Sequence, residues 1–197
     1  QGVGQRLLPV QRVGIYVPGG LAAYPSSVIM NAVPALCAGA ASVAVTTPAG
    51  KEGRLPDPVL VALREVGIRK AYKVGGAAAV AAFALGTESI DRVDVVAGPG
   101  NRFVNEAKRQ LWGTVGLDGY AGPSEVCVLI DGTANPRFAA ADLLTQIEHA
   151  PDNAGFLVST DEAMLGEVLA EIEKQLTGAP REATMRTALS GDSLAFL

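Results

Sequence analysis

Arg12-Val13-Gly14-Ile15-Tyr16-Val17-Pro18-Gly19-Gly20, followed by Pro25-Ser26-Ser27, decides the fold. The run from Arg12 to Val17 is too short for a helix and nearly all apolar, so it reads as a buried strand. Pro18-Gly19-Gly20 stops it. Pro25-Ser26-Ser27 then opens a helix reaching about Ala38, with Ser at the capping positions and Pro34 expected to bend it. The same alternation continues outward. Ser42 to Thr47 reads as the next strand, and Asp57-Pro58 as an N-cap with Pro at the first position of a helix that ends at Gly67. Lys70 to Val74 is a strand, and Gly75-Gly76 leads into a small-residue helix, Ala77 to Leu85. Val93 to Ala97 is a strand, Gly98-Pro99-Gly100-Asn101 a turn, and Arg102 to Trp112 a helix. Mostly apolar strands alternating with helices through short connections predict an α/β fold, with a parallel sheet covered on both faces.

A second set follows: a strand from Glu125 to Ile130, a helix from Pro136 to His149, a strand from Gly155 to Ser159, and helices from Thr160 to Leu176 and Pro180 to Leu189. Gly113 to Ser124 lies between the sets and is rich in Gly and irregular. The domain boundary belongs there, giving domains 12–120 and 121–197. The chain opens on Gln1, and Ser193 to Leu197 reads as a strand cut short, so a longer parent protein is expected.

Composition narrows the function. Lys plus Arg is 16 against 20 for Asp plus Glu, a net charge of −4, which argues against a nucleic-acid partner. With 49% hydrophobic and 18% charged residues the chain is a folded one. No apolar run reaches the roughly 18 residues that span a membrane, the longest Ala-rich one being Val74 to Gly86, and no signal pattern opens the chain. His149 is the only His, and Cys37 and Cys127 are the only Cys, so no zinc finger, three-His site or disulfide framework can be built. Both thiols read as small buried core residues of a protein kept in a reducing cytoplasm.

Ligands of open α/β sheets sit at the carboxyl ends of the strands. Four Gly-containing turns fall there: Pro18-Gly19-Gly20, Gly75-Gly76, Gly98-Pro99-Gly100-Asn101 and Ala121-Gly122-Pro123-Ser124. Gly lets a backbone approach a pyrophosphate, and the helix N-termini that follow favour anions. No full G-x-G-x-x-G is present, since Phe103 stands where the third Gly belongs, so on composition alone ordinary loop glycines explain these turns better than a cofactor site does. Gln146 and His149 are spaced i, i+3 near a helix end and share a face. A lone His there is usually a surface group facing the helix dipole, and two ligands alone do not define a metal site. Ser124 precedes a strand rather than following one, which suits hydrogen bonding to a substrate better than nucleophilic attack. The charges from Arg102 to Arg109 read most simply as the solvated face of a helix.

Taken together, Val13 to Gly20 (VGIYVPGG), Ser26 to Pro34 (SSVIMNAVP), Gly86 to Ser89 (GTES), Val93 to Gln110 (VDVVAGPGNRFVNEAKRQ), Ala121 to Val126 (AGPSEV) and Gln146 to Asp152 (QIEHAPD) resemble the histidinol dehydrogenase family, in family order from about Arg12 to Thr160. The resemblance implies two incomplete Rossmann-like domains of the aldehyde-dehydrogenase kind and a cytoplasmic homodimer. It implies oxidation of L-histidinol to L-histidine through the aldehyde, with NAD and Zn²⁺ as cofactors. By resemblance Tyr16 and Asn101 contact NAD, Ser124 contacts the substrate, and Gln146 and His149 contact both zinc and substrate. The family's acid/base Glu-His pair and its remaining zinc ligands, an Asp and a His, are not in this chain, so no catalytic residue is assigned within it and the isolated chain is expected to be inactive. Ala78 stands where the family carries a cofactor-contacting Gln. The alternatives are a relative acting on another polar alcohol, such as a sulfonated diol, and a non-catalytic nucleotide-binding or structural module.

Overall fold

The computed structural model describes residues 2–19, 23–120 and 123–197. The chain divides into two compact units, Gln1–Gly122 and Pro123–Leu197. The first contains β1 (Arg12–Tyr16), α1 (Pro25–Cys37), β2 (Ser42–Thr46), α2 (Asp57–Glu65), β3 (Lys70–Tyr72), α3 (Gly76–Leu85), β4 (Val95–Ala97), α4 (Arg102–Leu111) and β5 (Gly116–Leu117). Its five-stranded sheet is ordered β3-β2-β1-β4-β5, and every pairing is parallel.

The chain winds outward from β1 to β3, returns to the other side of β1 and winds outward again. Side chains alternate along a strand, so β1 serves two cores. Val13 and Ile15 pack with Val28, Ala32, Val59 and Leu63 of α1 and α2. Tyr16 packs on the opposite face with Ala79, Val80 and Phe83 of α3 and Val104 of α4. Gly14 shares that second face, where a Cβ would come within 2.6 Å of the Phe83 ring. A central strand buried on both sides explains why its sequence is almost continuously apolar.

Several boundaries differ from the sequence reading by one to three residues, as helix and strand ends commonly do. Pro56, not Asp57, occupies the N-cap of α2. Pro34 sits in the last turn of α1 and the helix runs through it to Cys37, forgoing only the bond that a residue with an N–H would make to the Met30 carbonyl. The stretch read as irregular contains β5, a short edge strand bonded to β4.

The second unit contains β6 (Glu125–Ile130), α5 (Pro136–Ile147), β7 (Ala154–Ser159), α6 (Glu162–Leu176), α7 (Glu182–Ser190) and β8 (Leu194–Phe196), with parallel strands in the order β6-β7-β8. Both crossovers run in the same direction. Right-handed connections of that kind place their helices on one face only. That face carries the core of Ala140, Leu143, Ile147, Leu157, Val168, Ile172, Leu176 and Met185. This sheet therefore carries its helices on one face, whereas the first has cores on both. Its other face aligns Cys127 with Phe156 and Leu194, and Leu129 with Val158 and Phe196, and Leu129 is 72% exposed.

The cysteines need a matching correction. Both are exposed rather than core residues. Cys127 points to the open face of its sheet, and Cys37 ends α1 away from the face that buries Val28 and Ala32. Among the described residues no helix is long and apolar enough to cross a membrane.

Candidate functional site

In the first unit the sheet reverses its winding between β1 and β4, and the carboxyl ends of these two strands border the crevice where such sheets bind ligands. Tyr16 ends β1 there. It is only 4% exposed, and its hydroxyl accepts a hydrogen bond from the Gly76 N–H at the start of α3, 3.3 Å away. Its carbonyl lies against Gly98, the first residue after β4. Gly98 has φ +116°, and a Cβ on it would overlap the Tyr16 carbonyl oxygen. Only Gly meets both demands. Tyr16 thus ties the β4 turn to the α3 N-terminus. Gly20 of the first turn and Ala121 and Gly122 of the fourth lie outside the described residues.

Asn101 is the N-cap of α4. Its Oδ1 accepts from the N–H groups of Phe103 and Val104 at 3.1 and 3.2 Å. This bond fixes the side chain of an exposed residue and leaves its Nδ2 hydrogens for a ligand. The crevice also receives the N-termini of α3 and α4, whose N–H groups favour a pyrophosphate. Two side chains here escaped the sequence reading. Lys108 is 2% exposed, not part of a solvated face. Its Nζ donates to the Gly98 carbonyl and to Asp118 Oδ1, each at 2.7 Å, while Asp118 Oδ2 accepts from the Gly98 N–H at 2.7 Å. The signal was available: Lys108 follows the buried Val104 by four residues and so shares its helix face.

Ala78 is exposed. With Ala77, Ala81, Phe103, Ala107 and Leu111 it lines an open groove of about 470 Å³ between α3 and α4. The packing of α3 on the sheet falls instead to Ala79, Val80, Phe83 and Ala84. On the same rim Glu106 is held down to about 2 by hydrogen bonds from Arg109 and then Gln110, so it stays anionic at neutral pH.

In the second unit Asn153 gathers the remaining candidates. It is 5% exposed; its Oδ1 accepts from the Ser124 N–H at 3.1 Å and its Nδ2 donates to the Gln146 carbonyl at 2.8 Å. The Ala154 N–H adds a bond to the Ser124 carbonyl at 3.2 Å. The backbones of Ser124 and Gln146, far apart in sequence, are thereby joined through one amide. Replacing Asn153 with Ala is expected to destabilise the protein by about 1–3 kcal/mol, the worth of two part-buried hydrogen bonds at about 0.5–1.5 kcal/mol each. A urea midpoint unchanged from the parent would contradict that bridging role.

α5 ends at Ile147, so His149 lies just past the helix and not in it. A tightened last turn, His149 N–H to the Gln146 carbonyl at 3.3 Å, holds it close. Its Nδ1 stands 2.8 Å from the Thr145 carbonyl. A carbonyl only accepts, so Nδ1 carries the proton, and Nε2 is the ring nitrogen left to act as a ligand. That is how a metal-binding His is usually oriented. Gln146 is half-buried one turn before it. Among the described residues no cluster of three or more His, Cys, Asp or Glu is placed to hold a metal.

The first unit's strand order, with glycine turns at the winding reversal, defines a doubly wound parallel α/β fold. An acetylating aldehyde dehydrogenase from Geobacillus thermoglucosidasius shares this fold, with a TM-score of 0.55 at 20% identity over 85% of this chain and 37% of that one. The family model described as histidinol dehydrogenase matches residues 1–197, and the chain belongs to that family. Its relatives include the histidinol dehydrogenases of a Synechococcus species, 51% identical over 99% of this chain and 45% of that protein, and of Clostridium acetobutylicum, 50% identical over 95% and 43%. The crystal structure of histidinol dehydrogenase from Elizabethkingia anophelis superposes with a TM-score of 0.93 at 41% identity, covering 96% of this chain and 44% of that one. The chain therefore spans less than half the length of the relatives it matches.

Proposed function

We propose that the whole protein is a cytoplasmic, homodimeric dehydrogenase that oxidises L-histidinol to L-histidine through the aldehyde, and that this chain contributes its NAD crevice and half of its zinc shell. The observation that carries the reading is the poised pair of sites: an exposed Asn101 locked as an N-cap at the winding reversal, and a His149 whose Nδ1 is already spent on the Thr145 carbonyl. When bound, NAD accepts hydride and zinc attracts the nitrogen atoms of the substrate. Asn101 would hold NAD, and Tyr16, mostly buried, would shape the crevice wall beneath it. Gln146 through its side-chain Oε1 and His149 through Nε2 would hold zinc, with Ser124 hydrogen-bonding the substrate. Asn153 keeps Ser124 and Gln146 in one place for that task. No acid/base pair is assigned among these residues, so proton transfer falls to groups outside the chain.

The direct test is NADH formation from L-histidinol. The whole protein is expected to produce it, and the purified 197-residue chain is expected to produce none. Turnover by the chain alone would contradict the division of labour.

The groove at Ala78 permits a second test. Replacing Ala78 with Gln adds one neutral hydrogen bond of about 0.5–1.5 kcal/mol, so the NAD dissociation constant should fall by roughly two- to twelvefold. Because Ala78 is exposed, stability should stay within about 0.5 kcal/mol of the parent. Unchanged or weaker NAD binding by a stable variant would place the cofactor away from α3.

A further inference from the structure

We infer that Lys108 and Asp118 are positioning residues for the cofactor, acting through the Gly98–Asn101 turn; this rests on the reading that the turn contacts NAD. Gly98 is the pivot of the turn. Its left-handed φ of +116° takes it out of the β4 ladder, so neither of its backbone polar groups has a strand partner to fix it. The ion pair takes over that work. Lys108 Nζ holds the carbonyl, Asp118 Oδ2 holds the N–H, and the two side chains hold each other at 2.7 Å through Oδ1. Both ends of one peptide residue are clamped by a charged couple whose cation is buried.

The elements flanking the turn make the clamp possible. Asp118 follows β5, and its N–H pairs with the Val96 carbonyl at 3.3 Å, so the edge strand delivers the carboxylate beside β4. Lys108 rises from the second turn of α4, the helix that Asn101 caps. Turn, cap and clamp thus form a closed loop, from Gly98 through Asn101 and α4 to Lys108 and back to Gly98. A shift at Gly98 moves Asn101 with it, whereas the zinc and substrate candidates lie in the other unit. Charge-assisted bonds at these distances are the strong kind. The Asp118 carboxylate is needed in full: its two oxygens each accept one bond, and Asn at this position would set its NH2, a donor, against either the Gly98 N–H or the Lys108 ammonium.

The test compares D118N, K108M, D118E and N101A in the whole protein, reading the NAD dissociation constant, KM for NAD, KM for histidinol, kcat and thermal midpoint. D118N and K108M are expected to weaken NAD binding and raise its KM by roughly tenfold or more, the scale on which small misplacements act, with KM for histidinol within twofold. D118E, which restores two acceptor oxygens, is expected to recover part of the loss. N101A reports on the underlying reading, since it removes the contact itself. If N101A leaves NAD binding unchanged, the cofactor reading of the turn fails and this inference with it. If N101A weakens NAD binding while a folded D118N binds it within twofold of the parent, the inference alone is overturned. It is also overturned if neither D118N nor K108M folds, because the pair then serves stability.

Discussion

In the whole protein, replacing His149 with Ala is expected to release zinc and abolish histidinol oxidation while leaving the thermal midpoint of the metal-free protein nearly unchanged. The reasoning runs from the ring outward. His149 is exposed and supports no core, so little stability depends on it. Its Nδ1 contact with the Thr145 carbonyl leaves Nε2 as the ring nitrogen that can serve as a ligand. Loss of an outer-shell partner typically costs 10–100-fold in metal affinity, and loss of the ligand itself should exceed roughly 100-fold. Metal analysis of the dialysed variant reads this directly. Stoichiometric zinc surviving dialysis would show that His149 is a surface residue facing the helix dipole and nothing more.

The second large effect is expected at Gly98. Ala there meets a positive φ and an overlap with the Tyr16 carbonyl at once, and the backbone of β1 cannot yield without disturbing the central strand. Strain in sparsely populated backbone regions costs about 1–3 kcal/mol, and a steric overlap in the core adds to it, so a loss of about 3 kcal/mol or more is expected. Gly53 is the internal control. It also has a positive φ, of 70°, but has open space where a Cβ would stand, so Gly53→Ala should cost only the conformational penalty of about 1 kcal/mol. Denaturant midpoints of the two variants isolate the overlap. Equal losses would mean that β1 and the β4 turn are not pressed together as described.

Much of this arrangement can be read from the sequence because it is local. The strand of β1 shows as a short apolar run between turn residues, and the turns after β1 and β4 announce themselves as Pro and Gly clusters. The resemblance of AGPSEV and QIEHAPD to family motifs points to Ser124, Gln146 and His149 without geometry. What escapes the sequence is set by tertiary structure. β5 has two residues and no side-chain pattern, since backbone pairing to β4 alone defines it. Lys108 misleads because a charged residue suggests solvent while its spacing from Val104 points inward. Asn153 looks like any polar turn residue until its two bonds are seen. The open face of the second sheet, with Cys127 and Leu129 upon it, follows from the direction of the crossovers, which no local pattern encodes.

The most direct test of the central claim is a crystal structure of the whole protein with NAD⁺, zinc and L-histidinol bound, with zinc located by its anomalous scattering. The account predicts His149 Nε2 about 2.0–2.1 Å from zinc, Gln146 Oε1 in the same shell, and NAD at the carboxyl ends of β1 and β4 within hydrogen-bonding reach of Asn101. Zinc held entirely by other residues, or NAD bound away from the β1–β4 crevice, would contradict it.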